Sequence, residues 1–593
     1  MNRLFYRRLS LGLVAVLSLS LQLIYAQPPR RSFEESERYH GAEEKAIVPT
    51  GPVYLIKISS QIELSQLNDK VRKAIKDGRK NIVVDISQGT YYYDRLPVYL
   101  YNIDAPDVCL SIKGNSAIMI AGGKDYPSAI SIKTPNRYYS YLDQAGKSID
   151  LFGDVFQLKS QVEVVNVSSK LCRIPLQEPA SYTSGMLIQL SEWYQSAVYS
   201  VKRIQGGYLY FVADNLKYDN TRKCYNVNYD YGVSSLYPRY RLWDPSKIKR
   251  VNGRIHECTV NYFLCLYRVK LKSFSLSDLS FNGSAKGEKN ALLYFREVDA
   301  EQITMEDCSF ENMNHRIVQL ADTDNFLFKN NTIKNCMFEG IYSSTDCENT
   351  IVTGNTFYRL GKAWTNTSAV SCYGKNFSIA NNTFEDVSYC SINVGAHVNW
   401  THKKVTSGVI EHNEIWFGEE YFRNGYKYNL IDGGAVYIAT MNEKVIVRYN
   451  YIHNYSGINS NRAVYFDEGA MNVRIYGNVI RDIPHGHALF SWRSTRVNSI
   501  IPESNDGIDF FYNVIWGRYK FDEKENSSCI KGKNLLLYDE KLPETTIINF
   551  AYQEDDILSK GASVKDGIIA LPGSALKELQ KFPTYEGVKK WIR

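Results

Sequence analysis

From about residue 279 to about 515 the chain is written in short apolar runs. "VIVRYNYI" at 445–452 and "VRIYGNVI" at 473–480 alternate with period two and favour β-branched residues, while helical spacing is absent. The runs share a phrase, Asn–x–Ile/Phe, at 331, 355, 382, 413, 450, 478 and 513, with degenerate copies at 308 ("CSF") and 279 ("LSF"). Successive spacings range from 23 to 37 residues. A base period near 23 with variable insertions marks a solenoid whose loops grow on one side. Strands this short cannot bury a face alone, but stacked coils can. Gly and Asn between the runs suit left-handed turns. A recurring Asn at one turn can hydrogen-bond the same turn of the next coil. The pattern predicts an all-β chain, a right-handed parallel β-helix.

Other segments complete the picture. "LSQLNDKVRKAIKDGRK" puts Leu64, Leu67, Val71, Ala74 and Ile75 on one helical stripe, with Ser65 as N-cap and Gly78 as stop. Such an N-terminal helix would cap the open end of the solenoid, which otherwise exposes strand edges. Between 140 and 255 the Asn phrase is missing, and runs such as "VFQLKSQVEVVNV" and "GGYLYFVADNL" suggest an inserted all-β, sandwich-like module. The first coils then occupy 27–139 and the main helix with its groove 256–520. Beyond about 520 the repeat is lost, and 521–593 reads as terminal coils and a cap containing "ALKELQKF".

Composition changes this picture little. A net charge of +7 over 593 residues, with no dense basic run, argues against a nucleic-acid partner. Residues 1–26 read as a signal peptide: Arg3, Arg7 and Arg8, an apolar segment, then "IYAQ" with a cut after Ala26. No later segment is long and apolar enough to span a membrane. The expectation is a periplasmic or secreted bacterial protein. Eleven cysteines leave at least one without an intrachain partner, and no Cys/His metal spacing occurs. Cys308, Cys336, Cys372 and Cys390 sit in strand phrases and read as small core residues.

Aligning the coils on Asn450 and Asn478 sets Tyr437 on Tyr465, and Ala439 and Thr440 on Asp467 and Glu468. Trp492 and Arg493 extend that column, while Asp432, Ser460 and His485 share another. Neighbouring coils lie about 4.8 Å apart, so columns become patches. Paired carboxylates are what glycoside hydrolysis needs, one donating a proton and the other attacking or activating water. Asp432 and Asp467 are the first pair and Glu468 the third acid. Asp467 and Glu468 can both reach the groove only if the strand ends there, which Gly469 permits. In a straight register the Asp432 and Asp467 columns are about 23 Å apart, so the pair requires either a bend at Gly433 and Gly434 or an inserted loop that folds Asp432 back over the groove. His485, His487, Trp492, Arg493 and Tyr465 are candidate sugar-binding groups. No metal or other cofactor is called for.

"DGGAVY", "NYIHN" and "VYFDEGAMNVRIYGNVI" resemble the parallel β-helix glycoside hydrolases, among them the α-L-fucosidase/xylanase family 141 and, more distantly, β-xylosidase and α-1,3-galactosidase families. "DGIIALPGSALKEL" at 566–579 is similar to their closing segment. The resemblance implies an acidic catalytic pair drawn from Asp432, Asp467 and Glu468, and a carbohydrate substrate. "HALFSWR" departs from the family's usual phrase and leaves the sugar open. A polysaccharide lyase on the same scaffold stays an alternative through Arg493, His485 and His487, and so does a glycan-binding β-helix without catalysis.

Overall fold

Each Asn of the repeated phrase is a rung of one buried ladder. The backbone N–H and Nδ2 of Asn331 both donate to Oδ1 of Asn355, at 2.7 and 3.1 Å. The same double bond links Asn355 to Asn382, Asn382 to Asn413, Asn413 to Asn450, Asn450 to Asn478 and Asn478 to Asn513. The Nδ2 groups also reach back to carbonyls of the preceding coil, as Asn450 does to Ile410. The residue before each rung is left-handed, as at Asn330, Gly354, Asn381, His412, Tyr449 and Gly477. That conformation turns the chain sharply while the amide satisfies the buried backbone.

The computed structural model describes residues 33–593 apart from 94–95, 122–129, 134–137, 142–155, 159–161, 193–194, 214–215, 220–223, 228–238, 244–261, 284–290, 314–315, 363–366, 396–405, 424–431, 440–441, 456–461, 468–469, 471, 484–486, 492–507, 518, 521–529 and 539–554. The expected signal peptide, 1–26, lies outside them. Phe33–Glu37 is a short helix in a unit of its own, residues 1–40.

From Gly41 on, the chain is a parallel β-helix with three strands per coil. The first sheet contains Thr406–Glu411, Asn442–Arg448 and Val473–Tyr476. The second, just past the ladder, contains Glu414–Trp416, Tyr451–His453 and Val479–Ile480. The third contains Cys390–Val394, Gly434–Ile438, Arg462–Phe466 and His487–Ser491. Each of these strands pairs in parallel with its counterpart one coil away. Inward side chains form one core from Ile56 to Leu536. Identical residues stack in register there, Phe357 on Phe384 with ring centroids 4.7 Å apart.

The repeat does not end near 520. Asn513 bonds Asn534, and Asn534 bonds Asp556, in the same double pattern. Strands Leu535–Tyr538 and Ile557–Lys560 follow these rungs. The sequence signature faded because the phrase became "NLL" and then "DIL". Asp556 stands at the last described rung, where the bonds received from Asn534 call for an acceptor oxygen, and a carboxylate supplies it as an amide does.

The capping helix is two helices, Gln61–Ser65 and Leu67–Lys76. Its N-cap is Ser60, not Ser65: the Ser60 side chain accepts from the Glu63 N–H, and the Glu63 carboxylate accepts from Ser59 N–H at 2.7 Å. Ser65 instead donates to the Ile62 carbonyl. Leu64, Leu67, Val71 and Ala74 join the solenoid core, Ile75 packs on its margin, and Gly78 stops the helix at φ +72°.

The long strands Val98–Ala121 and Leu264–Asn282 are direct neighbours, Leu264 opposite Val98. The chain between them therefore leaves the solenoid and returns one coil further on. The described part of that excursion includes an antiparallel seven-stranded sheet within 156–243, with its own core around Leu190, Tyr199, Phe211 and Tyr240. Arg241 ties it to the solenoid: buried, it donates to Gln189 and to the Lys362 carbonyl, each at 2.6 Å. Among the described residues eight cysteines are free thiols, all buried, and burial pushes Cys308, Cys336 and Cys372 up to about 12. No helix of the described residues is long and apolar enough to cross a membrane.

After helix Gly573–Leu579 the chain returns along the solenoid's flank, with Trp591 against Tyr451 and Phe582 against Tyr512. Beneath it His453 stacks between Trp416 and Tyr451, with Glu414 on Nε2 at 3.1 Å, Arg481 at Nδ1 and Asp482 nearby. Burial lowers the His453 pKa below its ordinary 6.5, against the pull of Glu414. The unfolded chain therefore takes this proton at a higher pH than the folded one. Stability from His453 is present above the ordinary value and is lost as pH falls below it. Melting temperatures between about pH 7.5 and about pH 5 should fall more steeply for the wild type than for His453→Phe.

Candidate functional site

Strands Gly434–Ile438 and Arg462–Phe466 lie side by side in the third sheet, Tyr437 opposite Tyr465 and Gly434 opposite Arg462. Val436, Ile438, Val464 and Phe466 point into the core. Strand alternation therefore sends Tyr437 and Tyr465 outward. Outside the solenoid they are still buried, in a second apolar cluster with Tyr389, Cys390 and Ala439. The ring centroids of Tyr437 and Tyr465 are 5.0 Å apart, edge to face.

Asp467 follows the end of its strand. Its N–H donates to the Ile438 carbonyl at 3.0 Å, which holds it in register opposite Ala439. The side chain is buried, and the Tyr437 hydroxyl donates to Oδ2 at 2.6 Å.

Asp432 enters from the opposite strand end. Its φ of 71° is left-handed, a conformation Asp tolerates better than most residues. Gly433 follows because a Cβ there would lie 2.4 Å from the Tyr389 carbonyl oxygen. The Tyr465 hydroxyl donates to Asp432 Oδ1 at 3.3 Å, and Arg462 Nη1 lies 3.7 Å from the same oxygen. The Arg462 guanidinium also covers the Tyr465 ring, 3.9 Å from its centroid.

The two acids thus lean on one touching pair of tyrosines. Asp432 turns left-handed at the start of its coil's strand, and each acid accepts from one of the two tyrosine hydroxyls. Tyr389, Tyr437 and Tyr465 are all held above the ordinary tyrosine value. Burial is the main cause, and the charges of both Asp432 and Asp467 add to it. These phenols stay protonated, so Tyr437 and Tyr465 serve as donors that fix the carboxylates' orientation.

Tyr465 is not an open stacking platform: it is 2% exposed, and its contribution is the hydroxyl on Asp432. His487 opens its strand directly opposite Arg462, half-buried. Glu468, His485, Trp492 and Arg493 lie outside the described residues. Among the described residues no three His, Cys, Asp or Glu side chains gather as a metal would need. Sequence reasoning overlooked Arg462, Tyr437 and Tyr389 as site residues. A signal for Arg462 existed: an arginine begins the apolar run "RAVYF", in the column of Gly434 and His487.

Residues 248–410 match the family model described as right handed beta helix region. No curated protein matches the sequence. Among solved structures, one titled glycoside hydrolase is 12% identical with a TM-score of 0.47, covering 84% of this chain and 99% of its own. The Gp54 tailspike of Acinetobacter baumannii bacteriophage AP22, in complex with capsular saccharide, is 10% identical with a TM-score of 0.24, covering 84% of this chain and 76% of its own. A mutant tailspike of E. coli bacteriophage HK620, in complex with a pentasaccharide, is 10% identical with a TM-score of 0.32, covering 85% and 75%.

Proposed function

We propose that the protein is an exported glycoside hydrolase in which Asp432 and Asp467 work as a pair, one as proton donor and the other as base or nucleophile. The observation that supports this best is the convergence of two carboxylates from neighbouring coils on the Tyr437–Tyr465 pair, each oriented by a neutral phenol. Such a pair can protonate a leaving oxygen from one side and supply an attacking oxygen from the other. Arg462 places a positive charge 3.7 Å from Asp432 Oδ1. Glu468, next along the chain, is the reserve acid. The residues resembling the α-L-fucosidase/xylanase family direct the substrate search to fucosyl, xylosyl and galactosyl linkages.

A lyase would need a base to remove a proton beside a uronate carboxylate. Tyr389, Tyr437 and Tyr465 are held protonated and do not fit that role. The test is product chemistry on chromogenic glycosides and plant or host polysaccharides. Hydrolysis frees the chromophore of the glycosides and releases reducing ends from the polysaccharides without new ultraviolet absorbance. Unsaturated products absorbing in the ultraviolet would replace this reading with a lyase, and binding without any product would replace it with a glycan-binding protein.

A further inference from the structure

The outward column through Tyr437 and Tyr465 continues toward the N-terminus. Asn393 pairs with Tyr437, Ser371 with Asn393, Tyr342 with Ser371 and Gln319 with Tyr342. At about 4.8 Å per coil these side chains form a row leading away from the two acids. Ser371 is engaged, donating to Glu339 at 2.9 Å, and Glu339 in turn holds Arg316. Asn393 differs: it is 7% exposed, yet its Oδ1 has no hydrogen-bond partner. A buried amide oxygen left unpaired is rare in native proteins. The ladder asparagines of the same coils, by contrast, are bonded at both ends of the amide.

We infer that Asn393 is the polar anchor of an additional subsite, one coil before Tyr437, that takes a hydroxyl of a bound saccharide. This rests on the glycan reading above. A hydroxyl suits the position because it both donates and accepts, so it serves the amide in either orientation. The position also sets a direction: a saccharide bound at the acids extends toward Ser371 and Tyr342. Asn393 is a specificity residue for the extended ligand and takes no part in bond cleavage.

The test compares Asn393→Leu with Asn393 in full-length protein carrying Asp467→Asn, which suppresses turnover. Affinity is measured by calorimetry for oligosaccharides found on a glycan array with fucosyl, xylosyl, galactosyl and uronate members. Each is paired with the methyl glycoside of its terminal sugar. Asn393→Leu should bind the oligosaccharide about tenfold more weakly, bind the methyl glycoside unchanged, and melt no lower, because it removes an unpaired polar atom. If Asn393→Leu fails to fold, Asn393→Ala takes its place. Unchanged oligosaccharide affinity, or equal weakening for both ligands, overturns the subsite. If the protein with Asn393 intact binds no member of the array, the glycan reading itself fails and the subsite fails with it.

Discussion

Asp467→Asn lowers turnover by about a thousandfold while leaving saccharide affinity within about twofold of the wild type. The amide has nearly the shape of the carboxylate and can still accept the Tyr437 hydroxyl bond now made at 2.6 Å. What it loses is the ability to carry or accept a proton. Substrates with acidic phenol leaving groups divide the two acids by role. The variant that retains most activity on them has lost the proton donor, since such groups depart without protonation. Single-turnover kinetics on the same substrates measure both quantities.

The second large effect is structural. Asn450→Ala should destabilise the fold by about 4 kcal/mol, from two or more buried groups left unpaired at about 1–3 kcal/mol each. Asn413 would lose the Oδ1 that receives its N–H and Nδ2, both at 3.0 Å. Asn478 Oδ1 would lose its Nδ2 donor and keep only the backbone N–H of residue 450, and the Ile410 carbonyl would lose its Nδ2 donor. That is a large share of an ordinary domain's stability. Asp556→Asn, at the last described rung, should change the stability little, since the oxygen accepting from Asn534 is kept. Urea unfolding of the two variants beside the wild type checks both statements.

The solenoid was legible because its logic is one-dimensional. One residue type recurs where each coil must satisfy the same buried backbone, so Asn331 to Asn513 could be placed in register from spacing alone. The signal failed past 520 because an Asn followed by leucines, and then an Asp, carry the same hydrogen bonds with different letters. Ser60 was missed as the cap because its value lies in a reciprocal bond pattern with Glu63 and Ser59, not in its distance from the apolar stripe.

The site was legible in its columns and not in its depth. Register put Tyr437 on Tyr465 and Ala439 in line with Asp467. A straight-strand picture could not foresee that a left-handed Asp432, passing over the Tyr389 carbonyl at Gly433, reaches the same tyrosines. Nor could composition show that Tyr465 works through its hydroxyl beneath the Arg462 guanidinium. Those features depend on contacts between coils more than thirty residues apart in the chain.

The most direct measurement is the hydrolysis rate of wild type, Asp432→Asn, Asp467→Asn and the double variant on one glycan that the wild type cleaves. Groups that act in a single chemical step give losses that do not multiply, so the double variant should be no slower than the worse single variant. Losses that multiply, or an Asp432→Asn enzyme as fast as the wild type, would contradict a working pair of carboxylates at this site.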